Sequence, residues 1–199
     1  NIFKDPATLM CNLARVTQHI RGKLEAQGEE DLERRVLTLI STRDNIDWVI
    51  DERGNYWRTF QFIEGATTFD VVETVDQARE VGHAFGEFQG QLIDLGPPQL
   101  AFTIPNFHNT RERLGVFRQA VEQDVCNRAA SVRGEIGRLD HYVDLVDDLL
   151  KLQSAGEIPL RVVHNDTKIN NVLIDDETGK GLCVIDLDTV MPGLVADDF

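Results

Sequence analysis

Basic residues are scarce in this chain. Its 199 residues include 20 Lys and Arg against 34 Asp and Glu, which gives a formal net charge of −14. Nucleic acids and anionic membranes attract clustered positive charge, so this balance argues against both as partners. A cationic substrate stays open, but the acidic helix faces of an ordinary soluble protein explain the charge equally well.

Cysteine is also scarce, and long apolar runs are missing. The three cysteines, Cys11, Cys126 and Cys183, are an odd number without paired spacing, which argues against a disulfide framework. Cys11 and Cys183 lie in apolar patterns, so we expect both to be reduced core thiols. No run resembles a signal peptide or reaches the length of a membrane span. We therefore expect a cytoplasmic protein.

The first part of the chain combines a helix with strand-like runs. Asp5 followed by Pro6 is typical of a helix start, and apolar residues then recur at helical spacing. Short β-like runs follow, with a turn signal before the last of them. They predict an antiparallel meander over 36–41, 46–50 and 56–63.

Helical patterns dominate the middle of the chain. Thr74 and Gln77 form a capping-box pattern, and the apolar and aromatic stripe after them predicts a long amphipathic helix that ends before Pro97. We interpret that stripe as core. Further helices are expected after Asn109 and over 132–150, where the acidic residues form a solvated face and not a metal site.

The residues with the clearest chemistry lie near the carboxyl end. Asp166 follows a short apolar run, Asn171 comes five residues later, and Asp186 follows Asn171 by fifteen residues. Phosphoryl transfer needs a group that takes or orients the acceptor's proton, and cations on the phosphate oxygens. Asp166 suits the first task. Asn171 and Asp186 offer the amide and carboxylate oxygens that Mg²⁺ binds.

The surroundings of these residues support the same chemistry. Lys168 follows the candidate base and can place positive charge on the transferring phosphate. A strand, a loop and a β-hairpin in this order are the context that the motif requires, and apolar runs predict them over 160–163, 172–174 and 182–185. The alternative is that Asp166 and Asn171 shape a turn and that Asp186 caps a strand end.

These residues resemble the aminoglycoside phosphotransferase and choline kinase superfamily, whose members have a protein-kinase-like fold and use ATP with Mg²⁺. The longer strings at 164–168 and 183–193 are similar to the N-acetylhexosamine 1-kinases, which phosphorylate the anomeric hydroxyl of N-acetylglucosamine or N-acetylgalactosamine. The segments 1–6 and 103–110 also resemble that family. The resemblance touches most of the chain, although its specific motifs are those near the carboxyl end.

The resemblance implies an α+β, protein-kinase-like fold that is partial. Residues 1–64 would be a small lobe with an antiparallel sheet that lacks the usual glycine-rich loop, and 65–199 a larger, mainly helical catalytic lobe. The backbone of Phe62, Ile63 and Glu64 would hold the adenine of the nucleotide. We expect a chain cut at both ends, which by itself transfers little or no phosphate.

Other polar side chains surround the candidate base in the sequence. Asn165 precedes Asp166 and is a candidate for substrate contact. Asp188 can aid metal binding, hydrogen-bond the sugar or cap the following turn. His164 is expected to pack and to bond to the backbone and not to act as a base, although histidine is the commonest acid–base residue.

The sequence thus predicts an ATP-dependent kinase of a small-molecule hydroxyl, with an N-acetylhexosamine as the leading acceptor. Choline, ethanolamine, homoserine or an aminoglycoside are the alternative acceptors. A further alternative is a degenerate kinase domain that binds nucleotide or a partner without catalysis, and the presence of Asp166, Asn171 and Asp186 argues against it. The expected partner is the small-molecule sugar, and the protein is expected to be a monomer or weak dimer.

Overall fold

The computed structural model describes Phe3 and residues 5–199, so half of the segment 1–6 used in the family resemblance lies outside the described residues. The chain divides into a larger unit, Asn1–Ile104 with Arg161–Phe199, and a smaller unit, Pro105–Leu160. The predicted lobe boundary after residue 64 falls inside the larger unit, and the lobes on its two sides stay a prediction.

The larger unit begins with helix α1, Pro6–Gln27. The Asp5 side chain accepts a hydrogen bond from the Thr8 N–H at 3.2 Å, as the sequence predicts for a capped start with proline in the first turn. The helical stripe is buried: Leu9, Leu13, Val16, Ile20 and Leu24. Cys11 lies off this stripe and is exposed, so its prediction as a core thiol is wrong.

The other elements of the larger unit are short except for one helix. That helix, α3 (Val75–Leu92), carries the predicted capping box, in which the Gln77 N–H donates to the Thr74 hydroxyl at 3.2 Å. The helices are α2 (Leu32–Arg35) and α3 (Val75–Leu92). The strands are β1 (Val49–Ile50), β2 (Tyr56–Trp57), β3 (Ala66–Thr67), β4 (Arg161–Val163), β5 (Val172–Asp175), β6 (Gly181–Val184) and β7 (Met191–Gly193).

The predicted meander is wrong in its order, and its strands are shorter than the sequence patterns indicate. β1 pairs antiparallel with β2, and an isolated bridge joins Leu39 to Phe60, so the third predicted run pairs with both of the others. All four residues of β1 and β2 are exposed. A two-stranded ladder that packs neither face gains little from further pairing, which explains why the strands end early.

Two small antiparallel sheets position the carboxyl-terminal motifs. The first has the order β3-β5-β6, and the second pairs β4 with β7. β5 and β6 form the predicted hairpin, whose turn is held by Asp175. Hydrogen bonds from the Thr178 N–H and hydroxyl, together with the Arg34 guanidinium, lower the pKa of Asp175 to about 2. The expected α+β class with small antiparallel sheets is confirmed.

The core of the larger unit lies between α1, α3 and the β5–β6 hairpin. β6 approaches α3 closely at Gly181, where an added Cβ would lie 2.9 Å from both the Ala84 Cβ and the Glu80 carbonyl oxygen. There is no room for a side chain at position 181, and the absence of one allows the β5–β6 hairpin to pack closely against α3. Cys183 is buried beside it, and burial raises the pKa of its thiol to about 12.

The smaller unit is helical. Helix α4, Thr110–Gln123, begins as predicted at Asn109, whose side chain accepts from the Glu112 N–H at 3.1 Å. The single helical run expected over 132–150 is broken into α5 (Arg133–Asp140), a 3₁₀ turn (Val143–Asp147) and α6 (Asp148–Ser154). No residue of this apolar stripe is fully buried, and Val132 and Leu139 are 43% and 48% exposed. Without burial it does not hold one continuous helix.

No helix within the described part of the chain has the length and apolar character needed to cross a membrane.

Candidate active site

The candidate site is built on the loop between β4 and β5. β4 pairs with β7, which places Val163 opposite Met191, and the loop then runs through Asp166 to a 3₁₀ turn at Ile169–Asn171. Lys168 and Asn171 both bond back to Asp166. The Lys168 N–H donates to the Asp166 carbonyl oxygen at 2.9 Å, and the Asn171 Nδ2 donates to the same oxygen at 2.8 Å.

The carboxylate of Asp166 is held by side chains on the same loop. Its Oδ2 lies 3.0 Å from the Lys168 Nζ and 3.3 Å from the Asn171 Nδ2. The hydrogen bond and charge of Asp166 raise the pKa of Lys168, and the charge of Asp186 adds to this. Asp166 therefore stands half-buried with a cation beside it, and the structure brings the candidate base and Lys168 together.

The β5–β6 hairpin brings Asp186 to the end of the site that carries Asn171. Val172 lies opposite Val184, and the Ile185 N–H donates to the Asn171 carbonyl oxygen at 2.9 Å. Asp186 follows directly and is exposed, with a left-handed backbone at φ 58° and ψ 54°. Such a conformation costs free energy in a non-glycine residue and is typical of functional sites.

The donor atoms at this end fit a magnesium ion. Asn171 is buried and its Nδ2 is bonded to Asp166, while within the described chain nothing donates to its Oδ1. One such amide oxygen and the Asp186 carboxylate are a hard oxygen set of the size that Mg²⁺ uses beside substrate phosphates and water. No group of three or more His, Cys, Asp or Glu side chains in the described residues could hold a metal by itself.

His164 joins the two acid-bearing segments. Its Nδ1 accepts from the Asp166 N–H at 3.3 Å, and its Nε2 lies 2.9 Å from the Ile185 carbonyl oxygen. These bonds assign the neutral ring with its proton on Nε2. The ring is fully buried and packs edge-on against Phe85 and Phe88, at centroid distances of 5.3 and 5.7 Å. As predicted, His164 packs and bonds to the backbone.

Asp198 fixes the start of the loop between β4 and β5, a task that the sequence did not reveal. Its carboxylate accepts from the N–H groups of His164 at 2.9 Å and Asn165 at 2.7 Å, and from the Gln89 Nε2 at 2.7 Å. The Asp198 carbonyl oxygen also accepts from the Thr167 hydroxyl at 2.8 Å. The residue is 9% exposed. Nothing in its local sequence pattern distinguishes it from the neighbouring Asp197.

A sequence model of the phosphotransferase enzyme family (APH) matches residues 21–199, which include every residue of the site described above. The chain belongs to this family. This membership confirms the prediction that the chain belongs to the aminoglycoside phosphotransferase and choline kinase superfamily. Its protein-kinase-like fold agrees with the helices and small antiparallel sheets observed.

The predicted adenine segment of this phosphotransferase lies before β3. Ile63 is buried, whereas Phe62 is 82% exposed. The Glu64 carbonyl oxygen accepts from the Arg34 Nε at 3.2 Å, and the Gly65 carbonyl oxygen accepts from its Nη2 at 3.0 Å. In the described chain no hydrogen bond uses the backbone of Phe62 or Ile63. Their contact with adenine stays a prediction.

Two predicted substrate contacts of the phosphotransferase have intramolecular partners. Asn165 is buried, has a left-handed φ of 67°, and donates from Nδ2 to the Thr189 carbonyl oxygen at 2.9 Å. Asp188 lies 2.5 Å from the Nη2 of Arg58. These contacts hold the loop and the turn after Asp186. Substrate binding by Asn165 and Asp188 stays a prediction.

We expect Gly193→Ala to destabilise the phosphotransferase by about 1–3 kcal/mol. A Cβ at Gly193 would lie 2.5 Å from the Val163 Cγ2 and 2.9 Å from the Asn165 Oδ1. Val163 is fully buried and short, so it cannot move aside. Urea unfolding measures the change. Gly137→Ala is the control, because no atom of the described residues lies within 4 Å of a Cβ added at Gly137. Equal midpoints for the two variants would contradict the crowding.

We expect the stability of the fold to fall as the pH drops below about 6.5, the ordinary pKa of histidine. Burial lowers the pKa of His164, against the opposing effects of its bond to Ile185 and of nearby carboxylates. Below pH 6.5 the histidine at position 164 binds a proton in the unfolded chain but not in the folded chain, so a fall in pH favours unfolding. Urea midpoints at pH 7.5 and 5.5 test this. His164→Gln should reduce the difference, and His83→Gln, whose ring is exposed, should not.

Proposed function

We propose that this protein transfers the γ-phosphate of ATP to the hydroxyl of a small molecule, and that the acceptor is the anomeric hydroxyl of an N-acetylhexosamine. The observation that carries the phosphoryl transfer is the cluster at the end of β4. There the Asp166 carboxylate lies 3.0 Å from the Lys168 Nζ and 3.3 Å from the Asn171 Nδ2. Membership of the phosphotransferase family supports this chemistry.

Each residue of the cluster has a distinct task in this mechanism. Asp166 accepts a hydrogen bond from the acceptor hydroxyl, orients its oxygen toward the γ-phosphorus, and takes its proton as the new P–O bond forms and the bond from the γ-phosphorus to the leaving ADP breaks. Lys168 keeps the Asp166 carboxylate in place and adds positive charge beside the transferring phosphate. When bound through Asn171 and Asp186, Mg²⁺ neutralises charge on the phosphate oxygens.

The sequence supports the sugar as the acceptor. The strings at 164–168 and 183–193 are similar to the N-acetylhexosamine 1-kinases, and they surround the candidate base and the candidate metal ligand. The formal net charge of −14 is also compatible with a cationic acceptor such as choline or an aminoglycoside. The proposed setting is the cytoplasm, where ATP is available, with a small-molecule partner and a monomeric or weakly dimeric protein.

Phosphorus NMR of the protein expressed from its full coding sequence tests the proposal. With ATP, Mg²⁺ and N-acetylglucosamine we expect a new sugar 1-phosphate doublet that disappears in Asp166→Asn. Consumption of ATP with choline, homoserine or an aminoglycoside, but not with the sugar, would keep the kinase and reject the acceptor. No consumption with any acceptor would reject the enzyme and favour a nucleotide-binding module.

A further inference from the structure

An ion pair joins the turn after Asp186 to a distant part of the chain. The Arg58 Nη2 lies 2.5 Å from the Asp188 Oδ1, and the two side chains are only 26% and 20% exposed. Arg58 follows β2, and Asp188 lies in the 3₁₀ turn Leu187–Thr189. The pair therefore reaches within two residues of the candidate metal ligand from an element that contributes nothing else to the site.

Arg58 is held in this position from other sides as well. Its guanidinium carbon lies 5.3 Å from the centroid of the Phe60 ring, a cation–π contact. Its Nη1 also lies 3.9 Å from the Met10 sulfur on α1. Because these contacts already restrict the Arg58 guanidinium, little side-chain conformational entropy is lost when it pairs with Asp188. The pair is thus a close charge contact, without the alignment of a hydrogen bond, between Asp188 and the segment that follows β2.

The turn that carries Asp188 directly follows Asp186 in the chain. The Val190 N–H closes the turn on the Leu187 carbonyl oxygen at 3.1 Å, and the Thr103 hydroxyl donates to the Asp188 carbonyl oxygen at 3.2 Å. Asp186 stands before this turn in its left-handed conformation. Removal of Arg58 would leave a mostly covered carboxylate without its counter-charge, close in sequence to a second carboxylate. Such a group is costly unless the backbone moves to expose it.

We propose that Arg58 is a positioning residue for Asp186, acting through Asp188 and the 3₁₀ turn, an inference that rests on the proposed function for the role of Asp186. Its pair with Asp188 would hold the turn that follows Asp186. Asp186 itself follows Ile185, whose N–H donates to the Asn171 carbonyl oxygen at 2.9 Å. Groups that orient metal ligands from outside typically change metal affinity or activity by 10–100-fold when they are removed.

The tryptophans of the chain report on this link directly. Trp48 and Trp57, its two tryptophans, line a pocket of about 360 Å³ together with Arg58 and Asp188. Changes at the ion pair should therefore shift the emission of the whole chain. Amide hydrogen exchange at Val190 gives a second readout, since its N–H closes the turn. Neither readout requires nucleotide or turnover.

The test compares Arg58→Ala with Arg58→Lys and with Arg111→Ala, which breaks an Arg–Asp pair to Asp147 in the smaller unit. We expect Arg58→Ala to raise the Mg²⁺ concentration for half-maximal rate by about 10–100-fold, to speed exchange at Val190 and to shift the tryptophan emission. Arg58→Lys should restore part of each effect. Arg111→Ala should change none of them. If Arg58→Ala does not fold, Arg58→Gln removes the same charge with a smaller change in volume and leaves the Asp188 carboxylate in place.

The outcomes separate this inference from the proposed function. An unchanged Mg²⁺ dependence of the rate and unchanged amide exchange at Val190 in Arg58→Ala would overturn the inference. Phosphate transfer by the unaltered protein would still support the proposed function. Loss of activity in Asp188→Asn without any effect of Arg58→Ala would also overturn it, since Asp188 would then act directly. If the unaltered protein transfers no phosphate, the function fails, and Mn²⁺ affinity with Val190 exchange still decides whether Arg58 positions Asp186.

Discussion

Asp166→Asn is expected to lower kcat by about a thousandfold, which corresponds to about 4 kcal/mol of transition-state stabilisation. The asparagine keeps the shape of the side chain but cannot take the acceptor's proton, and it loses the charge that faces Lys168 at 3.0 Å. The backbone carbonyl that accepts from Asn171 is unchanged. The affinity for Mg²⁺ and ATP should therefore change little, and steady-state kinetics with calorimetric nucleotide binding measures both.

The control for this experiment is Asp144→Asn, an exposed carboxylate of the smaller unit. It changes the net charge by the same amount and should leave turnover within experimental error. Unchanged turnover in Asp166→Asn would refute the role of Asp166. Loss of turnover together with loss of the fold, detected by circular dichroism, would instead assign Asp166 to the structure of the loop.

Asp198→Ala is expected to have the largest effect on stability among single substitutions near the site. It removes the acceptor of the buried N–H groups of His164 and Asn165 and of the Gln89 amide. Each unsatisfied group costs about 1–3 kcal/mol, so the sum amounts to several kcal/mol. For a chain of this size that corresponds to a fall in Tm of roughly 10 °C.

Thermal unfolding followed by circular dichroism measures this effect, and Asp197→Ala is the matched control. Asp197 accepts from the Leu194 N–H at 3.1 Å, so its removal costs one partly buried bond of a short turn. Asp198→Asn keeps one acceptor oxygen and should fall between the two. A Tm for Asp198→Ala equal to that of Asp197→Ala would show that the loop does not depend on these bonds.

Local signals predicted the parts of the fold that depend on nearby residues. The start of α1 follows from Asp5 and Pro6, and the start of α3 from the capping box of Thr74 and Gln77. The β5–β6 hairpin follows from two apolar runs around a turn-rich segment. In each case the residues that form the structure are close in sequence, so the pattern alone carries the information.

Predictions failed where packing against distant residues decides. The stripe over 132–150 has helical spacing, but none of its residues is fully buried, and it breaks into short pieces. Cys11 lies in an apolar run, yet it falls on the outer face of α1. The β1–β2 ladder ends early because its faces are not covered. Burial is a property of the tertiary structure, which periodicity indicates but does not determine.

The site shows the same division. Spacing alone predicts Asp166, Asn171 and Asp186 as candidates, because a short loop and the adjacent hairpin carry all three, and their roles stay a prediction. Asp198 binds that loop from more than thirty residues away, and Arg58 reaches Asp188 from 130 residues away. No local pattern marks either residue, so only the structure reveals them.

The buried imidazole of His164 has a consequence for motion. One nitrogen bonds to the backbone of Asp166 and the other to the backbone of Ile185, directly before Asp186, while Phe85 and Phe88 pack against the ring. The segments bearing the candidate base and the candidate metal ligand are therefore coupled and should move as a single body. Any opening that admits nucleotide or releases product must then occur in segments that do not bond to this ring, on a timescale set by their own loops.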